Sequence, residues 1–245
     1  TEQEVDESAK VLQGHFTSKD AEYQKYKEIG ILQYDKDKLI HVYSSYIHCL
    51  EHREFNVQIR DIINVGLARY RDKYARGKAE ETPFVLYEKY SRRDVSLLMN
   101  CGKDMSSTMY GMSRIGDVFI FVTYHKEEAE EGKNYADGKP DYADAFEDNL
   151  IFKWDSQIGK DNDSPYMKKV LSAPRKHLLV KKSDAETNFY YMGQFDVIES
   201  VNSEKEDNNG KMKPIAKVKM KMHDPVREDL FRYLQSNISK ENKTV

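Results

Sequence analysis

Thiol chemistry is nearly missing from this sequence. Cys49 and Cys101 are its only cysteines in 245 residues, and they form no CxxC pair. That speaks against a disulfide framework, and a reducing, cytoplasmic compartment is the expectation. No apolar run approaches the roughly 18 residues that a membrane span requires, and no secretory leader pattern opens the chain. A dominant charge is missing too. The 39 Lys and Arg residues face 42 Asp and Glu, for a net charge of -3. Bulk charge therefore argues neither for nor against nucleic acid. The chain starts at Thr1, without methionine, in an acidic stretch. It reads as a piece of a longer protein.

Catalytic signatures are missing as well. There is no phosphate loop and no GxSxG elbow, and Cys101 has no evident partner histidine. The segment "HCLEH" sets His48 and His52 one helical turn apart with Glu51 between them. For a zinc-protease helix the glutamate is misplaced and a third ligand is lacking, so two surface histidines are the simpler reading. The expectation is a chain that binds rather than catalyses, with no catalytic residue and no metal site.

What is present falls into two halves. Up to residue 80 the pattern is helical. Leu39, Tyr43, Tyr46, Ile47 and Leu50 share one face at helical spacing, and Ile59, Ile62, Ile63, Leu67 and Tyr70 share another. Asn56 is the candidate N-cap of the second helix. The polar segment "RGKAEETP" then breaks the pattern, which predicts a helical segment over 1–80 and a second domain over 81–245. In that second half, Val118 to Tyr124 is apolar on both faces, as a central strand would be. "PIAKVKMKM" alternates cleanly, "SEKEDNNGK" has the composition of a hairpin turn, and Asp224-Pro225 predicts the cap of a closing helix. The fold class expected is α+β: a small helical domain followed by a curved sheet or partly open β-barrel with a C-terminal helix.

Local charge is sharper than net charge. Acidic residues dominate 127–148, every ionised side chain from Lys168 to Lys182 is basic, and Lys211 to Lys221 is basic again. The last two stretches either lie side by side as a positive face or serve as solvated strand edges that guard against aggregation. Aromatics also sit in polar surroundings: Tyr110 in "SSTMYG", Tyr142 and Phe146 in "DYADAF", and Trp154 in "FKWDSQ". Rings beside hydroxyls, amides and carboxylates suit a flat ligand such as a nucleobase, where stacking supplies roughly 1–3 kcal/mol per base. The same rings also make ordinary core residues with satisfied polar tips.

The order of the motifs adds a resemblance. "LYEKYSRRDVSLLMN", "STMYG", "FIFVTYHK", "YADAFEDNLIFKWDSQ", "HLLVKKSDAETNFYYMGQ" and "DPVREDLFRYL" follow one another from about Phe84 to Leu234. This series resembles a C-terminal domain carried by some bacterial superfamily-II helicases, which often also carry a phospholipase-D-like nuclease domain. In particular it resembles the coupler and target-recognition part of SauUSI-like restriction endonucleases, which depend on ATP and on modified cytosine. The resemblance implies an SRA-like fold of the PUA-like group that reads 5-methylcytosine or 5-hydroxymethylcytosine in duplex DNA. It implies no cofactor for this chain, with ATP and Mg expected for a parent protein whose helicase and nuclease domains are this chain's partners. The parent would be a hydrolase in phage defence. One motif departs from the family: where relatives carry Leu-Asn-Trp, this chain has Met99-Asn100-Cys101.

Readers of this kind extrude the base into a pocket. The expected stacking shell is Tyr110 and Trp154, lined by Tyr124 or Tyr142. Ser107, Thr108, Asp94, Asp155 and Ser156 are the candidates for reading the base edge, with an acid attractive because cytosine offers an amino donor at N4. Met109 would help form a niche for the methyl group. Arg92, Arg93, Lys168, Lys169, Arg175 and Lys176, with the last strand's lysines, are the expected phosphate contacts. Two other classes fit the same residues: a protein-docking module that works through the helical half, and a reader of single strands.

Overall fold

The computed structural model describes residues 2–13, 30–35, 37, 39–79, 81–99, 101, 110–113, 116–125, 144–207 and 209–236. The chain divides into two compact units, one of Thr1–Val85 with Arg92–Ser106, the other of Leu86–Ser91 with Ser107–Val245. The first unit thus runs past residue 80 and takes back a segment from within the second half.

The helical unit contains α1 (Glu2–Leu12), a short hairpin of β1 (Leu32–Tyr34) and β2 (Ile40–Val42), α2 (Ser44–Glu51), α3 (Arg53–Tyr74) and α4 (Arg92–Leu98). The Tyr34 hydroxyl donates to Asp6 at 2.6 Å, fixing the hairpin to α1. His52 rather than Asn56 precedes α3, and Asn56 instead donates its side-chain amide to the Leu50 carbonyl at 3.0 Å. Tyr46 meets Phe55 edge to face with ring centroids 6.0 Å apart, joining α2 to α3. Neither α2 nor α3 has a buried residue.

The second unit is built on one mixed sheet. Its strands are β3 (Lys89–Tyr90), β4 (Tyr110–Met112), β5 (Val118–His125), β6 (Ala145–Phe146), β7 (Ile151–Asp155), β8 (Lys176–Ser183), β9 (Phe189–Glu206) and β10 (Met212–Met222). Their order is β4-β5-β8-β9-β10-β7-β6, with β3 paired to β9, and only β5 and β8 run parallel. Among the described strands β4 and β6 do not meet, so the sheet is open rather than a closed barrel.

Strand β9 carries two irregularities. Leu178 pairs with Gly193 but Leu179 pairs with Tyr191, so Met192 is an extra residue, and Gly193 takes φ +103. Lys219 pairs with Glu199 but Met220 with Val197, which leaves Ile198 as a second extra residue. Bulges of this kind bend a strand and sharpen its twist. They let one 18-residue strand serve both halves of the sheet.

One face of the sheet holds the main core cluster. Val118, Ile120 and Val122 of β5, Phe152 and Trp154 of β7, Leu178 and Val180 of β8, and Ala216, Val218, Met220 and Met222 of β10 cluster there. Two helices add to the cluster: α5 (Pro165–Ser172) through Met167 and Val170, and α6 (Glu228–Gln235) through Leu230 and Leu234. The Ser164 side chain caps α5 by accepting from the Met167 amide at 3.2 Å, with Pro165 at its first position. Helix α6 starts at Glu228 after an Arg227 cap, so Asp224 and Pro225 stand before it rather than cap it. The other side of β5 and β8 is buried too. Phe119 stacks on His177 at 4.7 Å, and His177 Nδ1 lies 3.0 Å from the Tyr191 hydroxyl. Burial, followed by the charges of Arg175 and His223, pushes the His177 imidazole down to about 3.

Candidate functional site

Strands β6 and β7 bring an acid and an indole together. Their register pairs Phe146 with Phe152 and Ala145 with Lys153. Asp144, the residue before β6, reaches the end of β7 where Trp154 and Asp155 lie. Asp144 is buried, and its Oδ1 accepts from the Asp155 amide at 2.9 Å. Trp154 is 1% exposed and belongs to the core, so its ring is not an open stacking surface as the sequence predicted. The indole Nε1 is a buried donor with no acceptor among the described residues, a state that costs about 1–3 kcal/mol.

The other residues of "FKWDSQ" are structural. Asp155 faces away from Trp154, by strand alternation, and its Oδ2 meets Lys205 Nζ at 3.0 Å. Ser156 is fully buried. Its backbone amide donates to the Ala216 carbonyl and its Oγ accepts from the Ala216 amide, both at 2.8 Å, while the hydroxyl donates to the Lys160 carbonyl. Its one donor is used and its hydroxyl is fully buried, so it is not open to a base edge. Tyr124 is half-buried, stacks on Phe146 at 6.3 Å, and has its hydroxyl pKa raised by burial.

Asp94, Arg92 and Arg93 open α4 and belong to the helical unit, whereas Trp154, Tyr124, Asp155 and Ser156 belong to the sheet unit. The Tyr110 backbone opens β4 opposite Ile120. Ser107, Thr108, Met109 and Tyr142 lie outside the described residues.

The expected cations divide in two. Arg175 holds Asp117 with both arms of its guanidinium, Nε to Oδ1 at 3.1 Å and Nη2 to Oδ2 at 2.8 Å. Asp117 is completely buried, so this pair clips the parallel starts of β5 and β8 and is not a phosphate hand. Lys176 donates to the Ala173 carbonyl at 2.7 Å, closing the C-terminus of α5. Lys168 and Lys169 stand exposed on α5. Nor do the two basic stretches lie side by side, because β9 separates β8 from β10. Within the β10 lysines, Lys219 shares Glu147 with Lys153, each at 3.2 Å, while Lys217 and Lys221 remain exposed.

Asp144 is the residue that sequence reasoning missed. It sits inside "DYADAF", between Tyr142 and Phe146, whose rings are the more conspicuous signal. Helix α5 was missed as well, although Ser164-Pro165 is a start signal.

The chain belongs to the family described as Domain of unknown function (DUF3427), whose model matches residues 84–234. No curated protein matches it. Among solved structures it is similar to the sulfur-binding and SRA domains of ScoMcrA complexed with phosphorothioated DNA, at 9% identity and TM-score 0.38, over 62% of this chain and 45% of that one. It is similar to Arabidopsis thaliana SUVH6 in complex with SAM at 10% identity and TM-score 0.36, over 93% and 40%. For the MspJI restriction endonuclease in complex with a 27-mer oligonucleotide the figures are 10% and 0.31, over 43% and 28%. The chain spans less than half the length of each of these solved chains.

Proposed function

We propose that the sheet unit reads modified cytosine in duplex DNA by taking the base out of the helix and testing it against the Asp144–Trp154 corner. The ordered motif series from Phe84 to Leu234 supports the target class. The observation that carries the site is the buried indole N–H of Trp154, which has no acceptor among the described residues, beside a buried carboxylate. Cytosine presents the complementary edge, with acceptors at N3 and O2 and an amino donor at N4. Asp144 takes the N4 donor and Trp154 supplies a donor to the acceptors. Tyr110 and Tyr142, on the two segments that flank β5 in sequence, supply ring faces, and Tyr124 lines the wall. Lys168, Lys169, Lys217 and Lys221 contact phosphates. The parent protein is a modification-dependent restriction endonuclease in which this chain is the reader and not the catalyst.

Magnitudes bound the scheme. Extrusion costs a few kcal/mol in lost stacking and pairing, and one methyl group in an apolar niche discriminates by about 10–200-fold. Phosphate contacts therefore carry most of the affinity, and binding falls steeply with salt. The test is equilibrium titration of the 245-residue chain with matched duplexes holding cytosine, 5-methylcytosine or 5-hydroxymethylcytosine, and with the modified single strand. A preference for modified duplex is expected. Trp154→Phe keeps the packed ring and loses the donor, and it should cut that preference roughly tenfold with little change for unmodified duplex. Equal affinity for all duplexes, or single strands that bind as well as the modified duplex, overturns the reading.

A further inference from the structure

Helix α3 carries an exposed apolar stripe. It is 22 residues long with no buried residue. Ile62 is 66% exposed, Ile63 55%, Leu67 47% and Tyr70 52%. At 3.6 residues per turn these four lie on one side, in line with Phe55, Ile59 and Tyr74. Helices draw most of their stability from packing such a face, and no described residue covers it over Ile62 to Tyr70.

The charges around the stripe are sorted. Arg53, Arg60 and Arg71 run down one border, Arg69 and Lys73 down the other, and Glu54, Asp61 and Asp72 fall on the opposite side. In the middle of the stripe stands Gly66, where a built side chain would meet nothing within 4 Å. Its φ is not positive, so the backbone does not require glycine. In a helix interior glycine costs about 1 kcal/mol against alanine, and what it offers in return is a close approach for a crossing helix.

We propose that this face docks an acidic amphipathic helix, one with an apolar stripe bordered by Glu and Asp. A second copy of α3 does not fit, because its own acids are on its back and the contact would set arginine border against arginine border. Opposite charge at the rim selects the partner and speeds its arrival, while the apolar stripe supplies the burial. This surface lies outside the base-reading site, and the two stand or fall separately.

Two synthetic 22-residue helices test it against the full chain by calorimetry. Both carry leucine at stripe positions; one has glutamate at the borders and the other lysine. The glutamate helix should bind at least roughly tenfold more tightly than the lysine helix, and its affinity should fall as salt rises. Gly66→Leu, which favours helix formation, should weaken the glutamate helix by about tenfold without loss of helical circular dichroism. Ile63→Asp with Leu67→Asp should abolish binding. Equal binding of both peptides overturns the proposal, as does binding of neither. So does a concentration-dependent dimer, seen by sedimentation, that the same substitutions dissolve.

Discussion

Helix α3 and strand β5 are both rich in apolar residues, yet they end in opposite environments. From Val118 to Val122 every residue of β5 is buried, on both faces. From Asp61 to Tyr70 every residue of α3 is exposed. Periodicity fixed which residues share a face in each case, but it did not say whether this chain would supply the other half of the contact. Strand β5 finds neighbours in β4 and β8. The apolar side of α3 over Ile62 to Tyr70 finds none among the described residues. A hydrophobic stripe is therefore a statement about a missing surface, and only the fold says where that surface is.

The sharpest way to break this contrast is a pair of substitutions. Val122→Ala in β5 should destabilise the chain by about 1–3 kcal/mol in urea denaturation, through lost burial and a cavity. Ile62→Gln in α3 should change it by no more than about 0.5 kcal/mol. A larger effect still is expected at the clip that starts β5. Asp117→Ala leaves the Arg175 guanidinium without its carboxylate and should cost about 3–5 kcal/mol. A loss below roughly 1 kcal/mol would mean that Arg175 finds another partner and is available to DNA after all.

The second face of β5 gives a pH signature that α3 cannot. His177 is buried against Phe119 and held neutral, with its folded pKa near 3 against an ordinary value of 6.5. Below pH 6.5 the unfolded chain takes up the proton and the folded chain does not. Stability from this group is thus fully present above about pH 6.5 and is lost as pH falls toward 3, by up to about 1.4 kcal/mol per pH unit. His177→Phe should flatten that part of the stability curve. An unchanged slope would show that the imidazole titrates normally. The smallest effect belongs to exposed cations. Lys168→Ala with Lys169→Ala should lower affinity for all duplexes alike and shift the salt slope by about 1 for each lost phosphate contact.

Much of the architecture was legible. The alternation of β10, the doubly apolar β5 and the turn ending at Gly210 all follow from side-chain period and turn chemistry. The site was less so, for reasons that are physical. A residue type shows what a side chain can do, not whether it is already engaged. Arg175 and Lys176 are cations in sequence, but one is committed to Asp117 and the other to a helix end. Ser156 is a hydroxyl whose bonds are taken by Ala216 and Lys160. Trp154 has the composition of a stacking ring and the burial of a core residue. Asp144 became visible only once its bond to the Asp155 amide placed it at the end of β7, next to that tryptophan in the chain.

Base extrusion is best tested by 2-aminopurine placed next to the modified cytosine in a duplex, with fluorescence read at saturating protein. The account predicts a rise with the wild-type chain, as the neighbour leaves the stack, and little or none with Asp144→Asn or Trp154→Phe at matched saturation. Tight binding with fluorescence unchanged from free duplex would show the base still stacked and would contradict it.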